Sequence, residues 1–234
     1  LISDETRKAV YAVADSLGYR PNRIARALRR CGTETIALVL PESESEYIAH
    51  VIMRTASALG KKRYDLKIHT LLPDDSRVRL SDVISELAVD GLIIAGLTAE
   101  MHFLEEPSPN PLPAAVLNEV SIPTARAIVC DNAGGGRSVA ELLVRAGHTK
   151  LGMLAGPSYC SNARDRRKGF ISHLRERGRP VRDDWYIESD YGEQRGYDAM
   201  RGLVQKRDIP TAVFCVNDEL ARGALRALRD SPLS

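Results

Sequence analysis

Cysteine is scarce in this chain of 234 residues, and its four copies, Cys31, Cys130, Cys160 and Cys215, are widely spaced with no Cys-x-x-Cys pair. That spacing excludes a zinc site of the usual kind and a disulfide framework, and it fits a reducing compartment. Excess charge is missing too: 33 Lys and Arg stand against 31 Asp and Glu, for a formal net charge of +2. Any affinity for nucleic acid must therefore come from a local patch. No apolar run approaches the length of a membrane span. The opening LISDETRKAV has neither the apolar stretch nor the small-residue cleavage site of an export signal. A cytoplasmic protein with no membrane partner is expected. Low-complexity tracts are absent, and 44% hydrophobic with 27% charged residues is ordinary for a globular fold. The length allows two modest domains or one large one.

The signatures of common enzymes are also lacking. There is no Gly-x-x-x-x-Gly-Lys-Ser/Thr, no Gly-x-Gly-x-x-Gly after the first strand and no Gly-x-Ser-x-Gly elbow. None of His50, His69, His102, His148 and His173 has a sequence neighbour that suggests metal or triad chemistry. Gly134, Gly135 and Gly136 at a helix start could cradle a phosphate. The more economical reading is that they let that helix begin close to the neighbouring lobe. No catalytic residue, cofactor or metal is expected.

What is present begins with RPNRIARALRR, residues 20–30, which holds five arginines and no acid. Arg20, Arg23, Arg26 and Arg29 recur every three residues, while Ile24 and Leu28 share another face of a helix. A cationic face beside an aliphatic wedge suits a helix lying in the DNA minor groove, with arginines on phosphates and the wedge at a base step. A solvated linker helix is the plainer alternative for such a run. About nine residues are too few to hold a helix in water, so this segment is expected to fold only on DNA.

Ahead of it, Ser3 reads as an N-cap with Asp4 and Glu5 in the first turn, Val10, Val13, Ala14 and Leu17 as an apolar stripe, and Gly18 as the left-handed stop. Such a helix needs packing partners, which are expected upstream of Leu1. From Thr35 onward strands and helices alternate. Strands are predicted at 35–40, 66–72, 91–96, 113–118, 127–130, 150–155, 184–189 and 211–216. Helices are predicted at 47–59, 77–89, 136–146, 164–177, 193–206 and from Asp218. Apolar strands separated by helices imply an α/β fold with parallel sheets. EEPSPNPLP, residues 105–113, reads as a proline-rich surface loop. The boundary between two βα series is expected near Cys130.

The string LGYRPNRIARALRR, followed at once by TETIALVLP, resembles the hinge of LacI-type (LacI/GalR) transcriptional regulators. VDGLII (89–94), DNAGGGRSVAELL (131–143), AGH (146–148), AGP (155–157), ARDRRKGF (163–170) and PTAVFCVNDELARGAL (210–225) are similar to that family in order and spacing. The resemblance covers nearly the whole chain. It implies two Rossmann-like lobes of periplasmic-binding-protein type, preceded by the last helix of a helix-turn-helix head (1–19) and a hinge helix with linker (20–33). The lobes would span 34–130 and 131–234. It further implies a homodimeric regulator, expected to be a repressor, of operator DNA, shortened at both ends: a helix-turn-helix pair would precede Leu1 and more strands would follow Ser234. A secreted sugar-binding protein of the same fold is the rival, although it would need an export signal and would have no use for residues 20–30.

By the same resemblance, DNA contacts are expected from Arg20, Asn22, Arg23, Arg26 and Leu28, with Leu28 as the minor-groove wedge. Ligands of open parallel sheets sit beyond the strands' carboxyl ends. The effector wall is accordingly expected from Tyr47, Asp131, Asn162, Arg166, Tyr191 and Asn217. At the first of these the family's usual Asn-Pro pair is replaced by Ser45-Glu46. Asp131 could equally be a helix cap, Tyr191 an ordinary loop tyrosine, and Asp218 a cap of the last helix. Aromatic, carboxylate, amide and guanidinium groups together suit a sugar-like or nucleobase ligand.

Overall fold

The computed structural model describes residues 2–19, 32–42, 45–71, 88–96, 112–117 and 126–232. The hinge positions Arg20, Asn22, Arg23, Arg26 and Leu28 lie outside them, as does 77–87 of the helix predicted over 77–89. Ser3 opens α1 (Asp4–Ser16) as its cap, the Thr6 amide donating to its Oγ at 3.2 Å. Gly18 follows the helix in the left-handed region at φ 61°. The apolar stripe is present but uncovered: Val10, Val13 and Leu17 are all exposed, and α1 buries no residue.

The first sheet comes from β1 (Thr35–Pro41), β2 (Asp65–Leu71), β3 (Gly91–Ala95), β4 (Ala114–Leu117) and β5 (Arg126–Ile128), all parallel in the order β2-β1-β3-β4-β5. β1 is flanked on both sides, so Ala37, Leu38, Val39 and Leu40 are buried as a continuous apolar run. The helix α2 (Glu46–Lys61) sets Ile48 against Leu38, Leu40 and Ala95. Burying a side chain such as Leu38 contributes about 1.5–3 kcal/mol. At the sheet's entry the Asp90 carboxylate accepts from the Thr33 amide (2.7 Å), the Thr33 hydroxyl (2.8 Å) and the Glu34 amide (2.8 Å). This clasp holds Glu34 at φ 53°, where a side chain is seldom found.

The second sheet is smaller. It comprises β6 (Leu151–Leu154), β7 (Tyr186–Ile187) and β8 (Ala212–Cys215), parallel in the order β7-β6-β8, interleaved with α3 (Asn132–Arg145), α4 (Ser161–Glu176), α5 (Glu193–Val204) and α6 (Asp218–Arg229). Its core joins Met153, Leu154, Phe170, Leu174, Leu203 and Leu220, with the Phe170 and Phe214 rings 4.9 Å apart.

Most element ends shift by a residue or two from the sequence expectation, and three differences bear on packing. The strand predicted over 184–189 shrinks to two residues because a short 3₁₀ turn, Asp183–Trp185, comes first. Arg182 grips Asp184 through Nε and Nη2 at 2.9 and 2.7 Å, and buried Trp185 donates from its indole to the Asp208 carbonyl at 3.1 Å. α4 starts at Ser161 and α3 at Asn132, each earlier than expected, so Gly134–Gly136 lie inside α3. Of these, Gly136 serves a close approach within its own lobe. A Cβ on Gly136 would collide with the Arg166 backbone of α4, and one on Gly169 with the Ala133 backbone of α3. The α3–α4 crossing is thus as close as backbones allow, and Gly196 and Gly223 repeat the device between α5 and α6.

Candidate functional site

At the carboxyl ends of the second sheet, polar side chains converge from three elements. Arg166 projects from the second turn of α4. Its Nε donates to Asn132 Oδ1 at 2.8 Å and its Nη1 to the Val216 carbonyl, just past β8, at 2.6 Å. Asn132, 8% exposed in the first turn of α3, donates from Nδ2 to Asn162 Oδ1 at 2.8 Å. The close α3–α4 crossing is what allows these contacts, because it brings the first turns of both helices together. Asn217 follows Val216 directly and caps α6, accepting from the Leu220 amide at 3.0 Å. The last helix is therefore capped by Asn217, not Asp218, which lies exposed in the first turn.

Tyr191 comes from the loop after β7 and is half-buried against Gly156 and the second core. Its hydroxyl donates to Cys160 Sγ at 3.3 Å. Burial holds this phenol well above the ordinary tyrosine range, with neighbouring Cys160 adding and Arg166 opposing, so it stays neutral. Asp131 is exposed and caps α3 through Oδ1, which accepts from the Gly134 amide at 2.8 Å. Tyr47 is 50% exposed in the first turn of α2, beyond the carboxyl end of β1. Its neighbour Glu46 meets Arg222 of α6 at 3.1 Å, which ties a helix beside the first sheet to one beside the second. His148, read as structural, has Nδ1 3.0 Å from the Thr211 hydroxyl.

Of the six expected effector residues, Asn162 and Arg166 thus share one hydrogen-bonded network through Asn132, Arg166 also reaches the carbonyl of Val216 next to Asn217, and Tyr191 adjoins Arg166. Asp131 and Tyr47 are not joined to it by these bonds. Sequence reasoning missed Asn132. Its only signal was its place beside Asp131, and its partners lie 30 and 34 residues away. Concavity is a poor guide here. An apolar groove of about 390 Å³ runs beside β8, lined by residues such as Leu143, Leu203, Phe214 and Leu225. It offers no charged group for recognition, whereas the cleft end of the sheet does. Among the described residues no helix is long and apolar enough to cross a membrane.

Two parallel sheets in series, with polar groups gathered where strands end, define a ligand-binding body of the periplasmic-binding-protein type. Residues 33–232 match the family described as periplasmic binding proteins and sugar binding domain of LacI family. The chain belongs to that family and is a regulator of the LacI/GalR type. It is 26% identical to the HTH-type transcriptional repressor PurR of Actinobacillus pleuropneumoniae serotype 5b (strain L20), over all of this chain and 70% of the relative. The crystal structure of the lac repressor dimer bound to operator and the anti-inducer ONPF has the same fold: TM-score 0.82, 22% identity, 100% of this chain and 71% of that one. A CelR–cellobiose complex superposes at TM-score 0.69 with 25% identity, covering 99% and 71%. The curated relatives are repressors, and this chain is not an enzyme.

Proposed function

We propose that this chain is the body and hinge of a homodimeric, cytoplasmic transcriptional repressor whose grip on operator DNA is set by a small sugar-like or nucleobase effector held between two lobes. The lobes span 34–130 and 131–234, the hinge and linker 20–33, and residues 1–19 form the last helix of a DNA-binding head. The observation that carries the reading is the linking of Arg166 and Asn162 through Asn132, with Arg166 also on the Val216 carbonyl at the carboxyl end of the second sheet, in a chain matched to this family over residues 33–232. The cellobiose named with CelR supports a sugar-like ligand, and the operator named with the lac repressor supports DNA as the partner. Asp131, Tyr47 and Tyr191 complete the effector wall, and Arg20, Asn22, Arg23, Arg26 and Leu28 the minor-groove contact.

Fluorescence anisotropy on duplex DNA at several salt concentrations tests the DNA half. Affinity should fall steeply as salt rises, since arginines on phosphates release counterions. An absence of binding at low salt would favour the sugar-binding protein without DNA function. Thermal-shift screening of sugars, sugar phosphates and purines tests the effector half, because a true ligand raises apparent stability by mass action.

A further inference from the structure

We propose that the loops after β6 and β7, residues 156–160 and 188–192, form one rigid unit, and that Arg167, Glu188 and Asp190 are positioning residues that fix the Tyr191 ring relative to Arg166. The joining of the loops stands on geometry alone. Its use, the placing of two effector-wall residues before a ligand arrives, rests on the regulator reading.

β6 and β7 pair through Met153 with Tyr186 and Leu154 with Ile187, and the Ala155 amide adds a last backbone bond to the Ile187 carbonyl at 2.8 Å. Beyond that point side chains take over, in the same order along both loops. The Ser158 hydroxyl and amide donate to the Glu188 carboxylate. The Tyr159 hydroxyl donates to Asp190 Oδ1 at 3.2 Å, and the Tyr191 hydroxyl to Cys160 Sγ at 3.3 Å. Three consecutive residues of one loop thus hold Glu188, Asp190 and Tyr191 of the other, like a zipper. Gly156 makes room for the last rung. It turns the chain at φ 67°, and a Cβ there would stand 2.9 Å from Tyr191 Cε1 and 2.8 Å from Val216 Cγ2. The ring is therefore caught between a glycine backbone at its edge and a thiol at its hydroxyl.

The far end of the zipper is tied to the helix that carries Arg166. Arg167 Nη1 donates to the Tyr186 hydroxyl at 2.8 Å and to Glu188 Oε2 at 3.2 Å, and the Tyr186 hydroxyl donates to Glu188 Oε2 at 3.2 Å. Hydrogen bonding from Ser158, against partial burial, holds the Glu188 carboxyl below its ordinary range, so it remains an ionised acceptor near neutral pH. The path closes on itself: α4 to Glu188, Glu188 to the first loop, and along that loop back into α4 at Ser161. α5 starts at Glu193, directly after the second loop. Tyr159, Glu188 and Asp190 reach the surface, where one such bond alone adds little. In series, each bond shortens the span that the next must close, so the set is cooperative. A wall fixed in advance spares the cost of ordering it on binding.

Iodoacetamide labelling of the whole chain, read cysteine by cysteine from peptide masses, tests the unit without effector or DNA. Tyr191→Phe removes the rung on Cys160 directly and sets the scale for a freed thiol. Arg167→Met and Glu188→Ala act at the opposite end of the zipper. Each should speed Cys160 labelling roughly threefold or more, a coupling expected within one network and absent between independent sites. Asp190→Ala should do the same, and Asp190→Asn, whose amide oxygen can still accept from Tyr159, should restore the slow rate. The Tyr191 ring resonances should move in the same variants and return in Asp190→Asn. Cys215 labelling and the melting temperature should hold steady throughout. Wild-type Cys160 rates in Arg167→Met and Glu188→Ala would show the loops to be independent and overturn the proposal. So would Cys215 labelling that rises in step, because the whole lobe would then be loosening. Zipped loops in a chain that answers no sugar or purine and binds no DNA would leave the unit standing and remove the regulator reading alone.

Discussion

At the scale of single residues, two glycines in the same helix make opposite predictions. A Cβ on Gly136 would run into the backbone of Arg166, while one on Gly135 meets nothing within 4 Å. Gly136→Ala should therefore cost about 1–3 kcal/mol or more in urea unfolding, because backbone cannot give way as a side-chain tip can. Gly135→Ala should be neutral or stabilise by up to about 1 kcal/mol through helix propensity. Equal effects of the two would mean that α3 and α4 do not cross where described. Cys215 supplies a pH prediction. Burial pushes its thiol up to about 11, from an ordinary value of 9.0. Below pH 9 the thiol is protonated in both folded and unfolded chains. Between 9 and 11 only the unfolded chain loses the proton, so stability should fall across that window. Thiol reagents at pH 8 should modify exposed Cys130 well before Cys215.

Among elements, the Asp90 clasp stands out because it pins Thr33 and Glu34 at the entry to β1, the residues that the proposed regulator reading sets between hinge and body. Partial burial works against ionisation of Asp90, yet hydrogen bonds from Thr33, Glu34 and Thr35 outweigh it and hold the carboxyl below the usual range. Its stabilising contribution is present above the ordinary value of 3.8 and is lost as pH falls through the lowered native value. Asp90→Ala should cost roughly 1.5–3 kcal/mol, the range for removing hydrogen bonds to a charged group. The loss should vanish at the acid end of a pH series of melts. A flat pH profile of the difference would remove the clasp. Sequence periodicity located β3 and noted Asp90 before it, but the carboxylate's partners lie 56 and 57 residues upstream, beyond any local pattern.

For the whole molecule, α2 beside the first sheet and α6 beside the second meet through Glu46 and Arg222. Both side chains are substantially exposed, so the pair is worth about 0–1 kcal/mol. Glu46→Gln should leave the melting temperature nearly unchanged and shift apparent effector affinity by less than about fivefold. A larger shift would make the pair a determinant of lobe closure. At this scale also, in a chain joined to a complete helix-turn-helix head, Leu28→Ala should weaken binding to a specific operator and reduce DNA bending, while leaving the salt dependence set by the arginines. Unchanged affinity and bending would remove the wedge.

Much of the architecture was legible in one dimension. Buried parallel strands need continuous apolar runs, so TIALVL and GLIIAG announced themselves, and Ser3 and Gly18 marked the ends of α1 through backbone chemistry that is strictly local. The order of motifs pointed to the family that the match over residues 33–232 establishes. Local sequence could not decide which partners the side chains of the site take. Asn132 was invisible as a site residue until folding set it between Arg166 and Asn162, Asp131 could be read as a cap or as a ligand contact, and the cap of the last helix was expected at Asp218, not at Asn217. Hydrogen bonds between residues 30 to 50 positions apart settle how the Asn132 amide and the Arg166 guanidinium are turned. Only a packed crossing of two helices, close enough to forbid a Cβ, could bring those partners within reach.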